Sequence, residues 1–259
     1  LKPRLVMTAG GYVSVPLVWA AWAFRIPIIV HQQDIIPGLA NRLMAVVATY
    51  VTVTFAKSKD DYGEKAVWTG NPVREEFQVD SQVSKIDSDK KTIVIIGGGT
   101  GSEAINTLVS NSLPELTSLA YIIHSTGRQV NRSPVNVVNY DPHELFSVKF
   151  MAEVIRKADL VITRAGMGTL SEIAFVGKAT IIIPMPKSHQ EANAKLFADN
   201  KAAIVLEQDT LSPDIFVGKI QEVLDDNNLR QELGKNIKVM MKQNANQNMM
   251  NLIQTLFRK

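Results

Sequence analysis

The feature that most constrains this chain is a pair of apolar strands that each run through a glycine turn straight into a helix pattern. The first is Thr92–Ile96, followed by Gly97-Gly98-Gly99-Thr100-Gly101-Ser102 and a helix pattern over Glu103–Asn111. The second is Leu160–Thr163, followed by Arg164-Ala165-Gly166-Met167-Gly168-Thr169 and a helix pattern over Thr169–Phe175. Continuous apolar strands, rather than alternating ones, belong to parallel sheets covered on both faces. Similar runs recur at Leu5–Thr8, Ile28–His31, Val51–Thr54, Ala120–His124, Val135–Asn139, Thr180–Ile183 and Ala203–Leu206. Helix patterns at Leu39–Val47 and Gln190–Asn200 fall between them. Such alternation builds βαβ units, so the fold class is α/β with doubly wound parallel sheets.

The stretch from Gln78 to Lys91 breaks the pattern, being polar with no apolar period, and reads as a linker. The expected organisation is a first domain over 1–77, a linker over 78–91, a second domain over 92–226 and C-terminal helices over 227–259 that pack back toward the first domain. In that tail Leu229, Leu233, Ile237 and Met240 recur at helical spacing, as do Met249, Leu252, Ile253 and Leu256. The Asn/Gln cluster at Gln243–Asn248 should kink or separate the two helices. A strand that starts at Leu5 with no leading turn or cap points to a piece of a longer chain.

Composition narrows the function classes. Cysteine is absent, which removes thiolate nucleophiles and Cys-based metal sites. A net charge of +3 suits phosphate groups or an anionic membrane face, but is too mild for a nucleic-acid binder. No run reaches the roughly 18 apolar residues of a membrane-spanning helix. The longest candidate, Val13–Phe24, is closed by Arg25 and Pro27. With Trp19, Trp22 and Phe24 it reads either as an interfacial helix or as a core helix, and the core helix is the preferred reading. Lys2 and Arg4 lead directly into a strand, unlike a signal peptide, so a cytoplasmic location is the default.

Glycine lets backbone approach a ligand, and a helix N-terminus offers unpaired N–H groups with partial positive charge. The turn at Gly97–Ser102 therefore reads as a diphosphate cradle or as a tight turn with no ligand. It matches neither the dinucleotide nor the P-loop spacing. At the second turn, Thr169 and Glu172 have capping-box spacing, and Glu172 is also placed to accept ribose hydroxyls. His189, Gln190 and Asn193 follow the strand ending at Ile183, where amide and imidazole groups suit sugar hydroxyls, although ordinary helix capping competes. Asp87-Ser88-Asp89 has the D-x-D form but lies in the polar linker, so it reads as a solvated charge run rather than a metal motif. Thr69–Arg74 falls at the hinge, where Arg74 reads as a phosphate or base contact or as a partner of Glu75 or Glu76.

Together the strings Gly10-Gly11-Tyr12-Val13-Ser14, Pro37-Gly38-Leu39-Ala40-Asn41-Arg42, Thr69-Gly70-Asn71-Pro72-Val73-Arg74, Gly97-Gly98-Gly99, Arg164-Ala165-Gly166 through Ser171-Glu172, and His189-Gln190 with Asn193-Ala194 resemble glycosyltransferase family 28. They are similar in particular to its bacterial members that convert lipid I to lipid II with UDP-N-acetylglucosamine. The resemblance covers nearly the whole chain in the family's order.

It implies a GT-B architecture, two Rossmann-like domains facing each other across a cleft, the first incomplete here. It also implies inverting transfer from UDP-GlcNAc to an undecaprenyl-diphosphate-linked muramyl-pentapeptide, at the inner face of the cytoplasmic membrane, with no cofactor. By the family pattern Glu172 takes the ribose hydroxyls, and Gly99, Thr100, Gly101 and Ser102 with Gly166, Met167, Gly168 and Thr169 face the diphosphate. Backbone near Met151 flanks the uracil, His189, Gln190 and Asn193 line the sugar, and Arg74 lies near the donor. Gly10, Gly11, Tyr12 and Asp34 would meet the acceptor.

The chain departs from the pattern at three places. The family's first glycine loop, with its proposed base, is missing, which leaves His31 and Asp34 as candidates for the base. Gly99 replaces a common Ser. Gln32 and Asp34 replace Glu and Asn. A different UDP-sugar GT-B enzyme (a glycolipid synthase or epimerase) and a non-catalytic sugar-nucleotide-binding fragment stay open as alternatives.

Overall fold

A computed structural model describes residues 2–79, 89–128 and 137–257. The first elements are β1 (Val6–Thr8), α1 (Ser14–Ala23), β2 (Ile28–Gln32), α2 (Leu39–Ala45), β3 (Tyr50–Val53), β4 (Ala66–Trp68) and α3 (Glu75–Gln78). Then come β5 (Thr92–Ile96), α4 (Glu103–Asn111), α5 (Leu113–Leu119), β6 (Tyr121–Ser125), β7 (Tyr140–His143), α6 (Val148–Lys157), β8 (Leu160–Thr163) and α7 (Met167–Val176). The chain continues through β9 (Thr180–Ile182), α8 (His189–Asp199), β10 (Ile204–Val205), α9 (Pro213–Asp225), α10 (Asn227–Met240) and α11 (Ala245–Phe257). These elements form two compact units, Leu1–Val73 with Met241–Lys259, and Arg74–Met240.

The first unit holds a parallel sheet in the order β1-β2-β3-β4. Val6, Ile28, Val30, Val51 and Val53 pack with Val18 and Ala21 of α1 and Met44 of α2. Helix α11 belongs to this unit. The Asn246 side chain both accepts from Val73 N (2.9 Å) and donates to Val73 O (2.9 Å), and Asn248 Nδ2 donates to Thr69 O (3.0 Å). Lys242 lies 4.0 Å over the Trp68 ring and donates to Trp68 O. The Asn/Gln cluster thus runs into the first turn of α11, and its Asn246 and Asn248 clamp the Thr69–Val73 segment.

The second unit carries a six-stranded sheet in the order β10-β9-β8-β5-β6-β7, parallel throughout. Ile93, Ile95, Ile122, Leu160, Ile162 and Ile181 bury one face against Ile105 and Val109 of α4, Leu116 of α5 and Phe216 and Ile220 of α9. The order runs outward from the centre in both directions: β5 leads to β6 and β7 on one side, and β8 leads to β9 and β10 on the other. The crevice at such a reversal, outside the carboxyl ends of β5 and β8, is where doubly wound sheets bind ligands. Residues 74–78 join this unit because Phe77 is buried there and Arg156 of α6 donates to Glu76 O (2.6 Å) and Val79 O (2.8 Å).

Three expectations are corrected. The strand read at Val135–Asn139 lies partly outside the described residues, and the strand itself is β7, Tyr140–His143. Val138 is exposed, and Asn139 takes a left-handed turn (φ 64°) that ends the apolar run. Helix α7 starts at Met167 with Gly166 as its N-cap and no side-chain cap, so Thr169 lies inside the first turn and the Thr169–Glu172 capping box does not form. Helix α1 is no core helix: Val13 is 92% exposed, and Leu17, Trp19, Trp22 and Phe24 are exposed with it, while only Val18 and Ala21 are buried. The polar 78–91 segment, including Asp87 and Ser88, lies largely outside the described residues. No described helix is long and apolar enough to cross a membrane.

Candidate functional site

A cavity of about 660 Å³ opens at the switch point of the second sheet. Its walls are Gly97–Ser102, the start of α4, Thr163, Arg164, Gly166, Gly168, Thr169, Met185, Pro186, Gln190 and Gln208. Both glycine turns identified in the sequence meet here, because β5 and β8 are neighbours in the sheet and end together. Each turn feeds a helix whose N-terminus faces the cavity, so two sets of unpaired N–H groups and two positive helix ends converge.

The first turn is shaped by its own packing. A Cβ on Gly97 would lie 2.6 Å from Ser102 N, and one on Gly101 would lie 2.8 Å from the Gly127 Cα. Gly101 and Gly127 also have φ of +82° and +84°. The turn therefore leans on the backbone that follows β6. That backbone is fixed in turn by Asn106 Nδ2 donating to Thr126 O (2.8 Å) and by Gly127 N donating to Glu144 O (2.8 Å). Ser102 caps α4, accepting from Ile105 N.

Arg164 was not singled out as a site residue in the sequence, and it ties the cavity together. Its Nε and Nη2 donate to Ser102 Oγ (3.1 and 2.7 Å), Nη1 donates to Ile183 O and Pro184 O (3.1 and 3.0 Å), and Nη2 donates to Gln208 Oε1 (2.6 Å). Every acceptor is neutral. Burial lowers the Arg164 pKa from its ordinary value, yet a guanidinium stays charged. Among the described residues it has no ion-pair partner, so a positive charge stands in the cavity wall. The Thr163 hydroxyl, also in the wall, is buried with no hydrogen-bond partner among the described residues.

Of the expected sugar residues, only Gln190 lines the cavity. Its Oε1 accepts from Ala165 N (3.2 Å) and Met185 N (3.1 Å). Asn193 is fully buried and donates to Ala165 O (3.1 Å). Both amides thus hold the second glycine turn in place. His189, at the first position of α8, is exposed and does not line the cavity. Met167 is buried beneath the turn.

Arg74, Met151 and Glu172 form a second cluster. Glu172 follows Gly168 by four residues on α7, so both share a helical face. Its carboxylate is buried and held by a two-pronged bond from Arg74, Nε to Oε1 at 2.5 Å and Nη2 to Oε2 at 2.8 Å. Hydrogen bonding to Glu172 raises the Arg74 pKa above its ordinary value. Arg74 Nη2 also reaches Met151 Sδ (3.3 Å), and the guanidinium lies 5.6 Å from the Phe77 ring centroid. The hydrogen-bonded partner of Arg74 is thus Glu172, with Glu76 adding a weaker electrostatic attraction.

In the first unit, Gly10 and Gly11 form a turn with φ of +114° and +89°, braced by Gly10 N to Thr8 Oγ1 (3.1 Å) and Ser14 Oγ to Gly10 O (3.0 Å). Tyr12 is exposed. Gln32 shapes the loop that carries Asp34, donating from Nε2 to Asp34 O (2.8 Å) and Ile36 O (3.2 Å) while its Oε1 accepts from Asn41 and Tyr62. His31 is buried, with Nδ1 2.9 Å from Thr52 Oγ1 and Nε2 2.9 Å from Asn71 Oδ1. Burial lowers its pKa, and with both nitrogens engaged this neutral ring has no lone pair free to take a proton. The structure therefore does not support His31 as a base. Among the described residues no cluster of three or more His, Asp or Glu is arranged to hold a metal.

Two parallel-sheet units, one with a helix-end cavity at its switch point, define the GT-B class of glycosyltransferase fold. The family model of the glycosyltransferase family 28 C-terminal domain matches residues 92–253, and that of the N-terminal domain matches residues 1–53. The chain belongs to glycosyltransferase family 28. It is 36% identical over 86% of its length to the UDP-N-acetylglucosamine–N-acetylmuramyl-(pentapeptide) pyrophosphoryl-undecaprenol N-acetylglucosamine transferase of Clostridium kluyveri, and spans 66% of that relative. It is 31% identical over 99% of its length to the protein of the same name in Acetivibrio thermocellus, and spans 74% of it. Among solved structures, Acinetobacter baumannii MurG superposes with a TM-score of 0.73 at 28% identity, over 97% of this chain and 73% of that one.

Proposed function

We propose that this chain is an inverting hexosyltransferase that moves N-acetylglucosamine from UDP-N-acetylglucosamine to lipid I, giving lipid II for peptidoglycan synthesis. One observation carries the reading: two glycine turns at helix N-termini share one cavity, with a buried acid one helical turn beyond it. In this reading the backbone amides of Gly99–Ser102 and Gly166–Thr169 hold the diphosphate. Glu172 accepts the ribose hydroxyls, and backbone at Met151 flanks the uracil. Gln190 reaches the sugar from the cavity wall, while Asn193 acts by fixing the turn and His189 stands at the exposed entrance of α8. The names of the relatives supply the sugar and the lipid-linked acceptor.

Transfer is a single in-line displacement. The acceptor hydroxyl attacks the anomeric carbon from the face opposite UDP, the bond to the diphosphate oxygen breaks, and UDP leaves with the electron pair. The helix ends and the unpaired charge of Arg164 stabilise that leaving group, so the chemistry requires no cofactor. Asp34 takes the hydroxyl proton, and Gly10, Gly11 and Tyr12 meet the acceptor's lipid diphosphate. The exposed face of α1 (Leu17, Trp19, Trp22 and Phe24, with Arg25 beside it) rests on the inner face of the cytoplasmic membrane, the aromatic-plus-basic pattern of an interfacial helix. Trp19 and Trp22 stack edge to face at 5.7 Å on that exposed face.

Calorimetry with UDP tests the donor site. The chain should bind UDP, and Glu172→Ala should weaken binding roughly tenfold or more, since hydrogen bonds to a charged group are lost. Unchanged affinity in that variant would overturn the reading. Flotation with anionic liposomes should retain the wild-type chain and lose a Trp19→Ser/Trp22→Ser variant; equal retention removes the membrane assignment.

A further inference from the structure

Arg164 carries a charge in the cavity wall, yet it has no hydrogen left to give a ligand. A guanidinium has five N–H donors and no acceptor. Nε and Nη2 donate to Ser102 Oγ (3.1 and 2.7 Å), Nη1 donates to Ile183 O and Pro184 O (3.1 and 3.0 Å), and Nη2 donates again to Gln208 Oε1 (2.6 Å). Those bonds engage all five donors. The charge therefore reaches a bound group through the side chains that Arg164 holds.

Two of those side chains can donate as well as accept. A serine hydroxyl has two lone pairs and one hydrogen. Three N–H groups converge on Ser102 Oγ, two from Arg164 and that of Ile105 at 3.4 Å. With its lone pairs engaged, the hydroxyl can only donate, and its hydrogen has no acceptor among the described residues. Ser102 is 9% exposed and lines the cavity, so its free donor is buried where only a ligand or water can meet it. Gln208 is held in the same way. Arg164 cannot accept, so the carbonyl end of the amide must face it, and the Nε2 hydrogens turn away. They too have no acceptor among the described residues, and Gln208 lines the same cavity. A donor polarised by a neighbouring cation makes a stronger bond to an oxyanion than a neutral donor alone.

We propose that the Ser102 hydroxyl and the Gln208 amide donate directly to the sugar-bearing phosphate of the nucleotide, and that Arg164 is a positioning residue acting through both. It turns their acceptors inward, their donors outward, and polarises them. The proposal rests on the donor reading of this cavity, which sets the ribose at Glu172 and the sugar at Gln190. Gln190 Oε1 accepts from Ala165 N and Met185 N, the residues next to Arg164 and Pro184, so the Arg164 network stands at the sugar end. There the second phosphate of UDP lies, and there negative charge grows as the bond to the sugar breaks.

The test compares UDP with UMP, which lacks that phosphate, by calorimetry on the full chain. Wild type should prefer UDP roughly a hundredfold, from two hydrogen bonds to a charged acceptor at about tenfold each. Ser102→Gly, a mild change at a helix cap, and Gln208→Met should each lower the preference roughly tenfold while UMP affinity stays within about threefold. The double variant should bring the preference near unity, and Arg164→Met should lower it as far. If Arg164→Met melts early, Arg164→Lys reports in its place: with three donors for five, it should lose roughly tenfold.

If the Ser102 and Gln208 variants weaken UDP and UMP alike, these side chains merely shape the wall and the proposal fails. It fails equally if wild type binds the two nucleotides with the same affinity. A preference lost in those variants but intact in both Arg164 variants overturns the positioning role. If wild type binds neither nucleotide, the donor reading itself fails and takes this proposal with it.

Discussion

The two glycine turns of the second unit look alike in sequence and are built for different reasons. At the first, glycine is demanded by the protein itself: Gly101 is left-handed and its missing Cβ would strike the backbone after β6. At the second, a Cβ on Gly166 or Gly168 would meet nothing within 4 Å, and neither residue has positive φ. No neighbour and no backbone strain explains glycine at Gly166 and Gly168. Gly166 suits its place as the N-cap of α7, and for Gly168, inside the helix, what remains is the open cavity it faces. Gly97 and Gly101 are scaffold, whereas Gly99, Gly166 and Gly168, with open space around them and no positive φ, face the cavity and are the better evidence for a ligand.

That contrast breaks most readily at Gly101. Gly101→Ala forces a left-handed non-glycine residue into backbone, and should cost at least about 3 kcal/mol of unfolding free energy by chemical denaturation. A loss under about 1 kcal/mol would show that the turns do not differ.

The buttress also has a pH signature. His124 lies in β6, the strand whose exit supports the first turn; its Nδ1 is 3.1 Å from Tyr140 Oη, and Nε2 has no partner among the described residues. Burial lowers its pKa from 6.5 to about 4. The folded chain therefore disfavours the charged ring, and the stability this contributes is complete above the ordinary value and is lost as pH falls toward 4. The shift corresponds to about 3 kcal/mol. The stability difference between pH 7 and pH 4 should shrink by that order in His124→Phe, measured against wild type.

The smallest effect on stability, and the sharpest on function, belongs to the open turn. Gly168→Ala lies in the first turn of α7 with space around it, and should stabilise the fold by about 0.5–1 kcal/mol. The same variant should weaken UDP binding roughly tenfold, as the new methyl group enters the cavity. A stabilised variant with unchanged UDP affinity would return the second turn to ordinary architecture.

Much of this contrast was hidden in the sequence, although the frame around it was not. Thr92–Ile96 and Leu160–Thr163 are legible to the residue because a strand buried on both faces must be apolar throughout. β4 escaped because three residues, Ala66–Trp68, make no run. The start of α7 was misread because a Gly166 cap has no side chain to announce it. The partner of Arg74 lies 98 positions away, a distance no local pattern encodes. Arg164 stood in plain view, yet its role comes from Ser102, Ile183, Pro184 and Gln208, which meet only in the folded sheet. Apolarity alone could not separate an inward α1 from an outward one.

The asparagine clamp of α11 on Thr69–Val73 has a bearing on biosynthesis. The sheet β1–β4 is translated before the second unit, yet α11, which completes the same unit as that sheet, is translated after it, following roughly 170 intervening residues. At ordinary rates of translation that gap lasts on the order of ten seconds. Through that interval the nascent sheet waits with the seat for α11 empty, so the unit translated first is the one that finishes second.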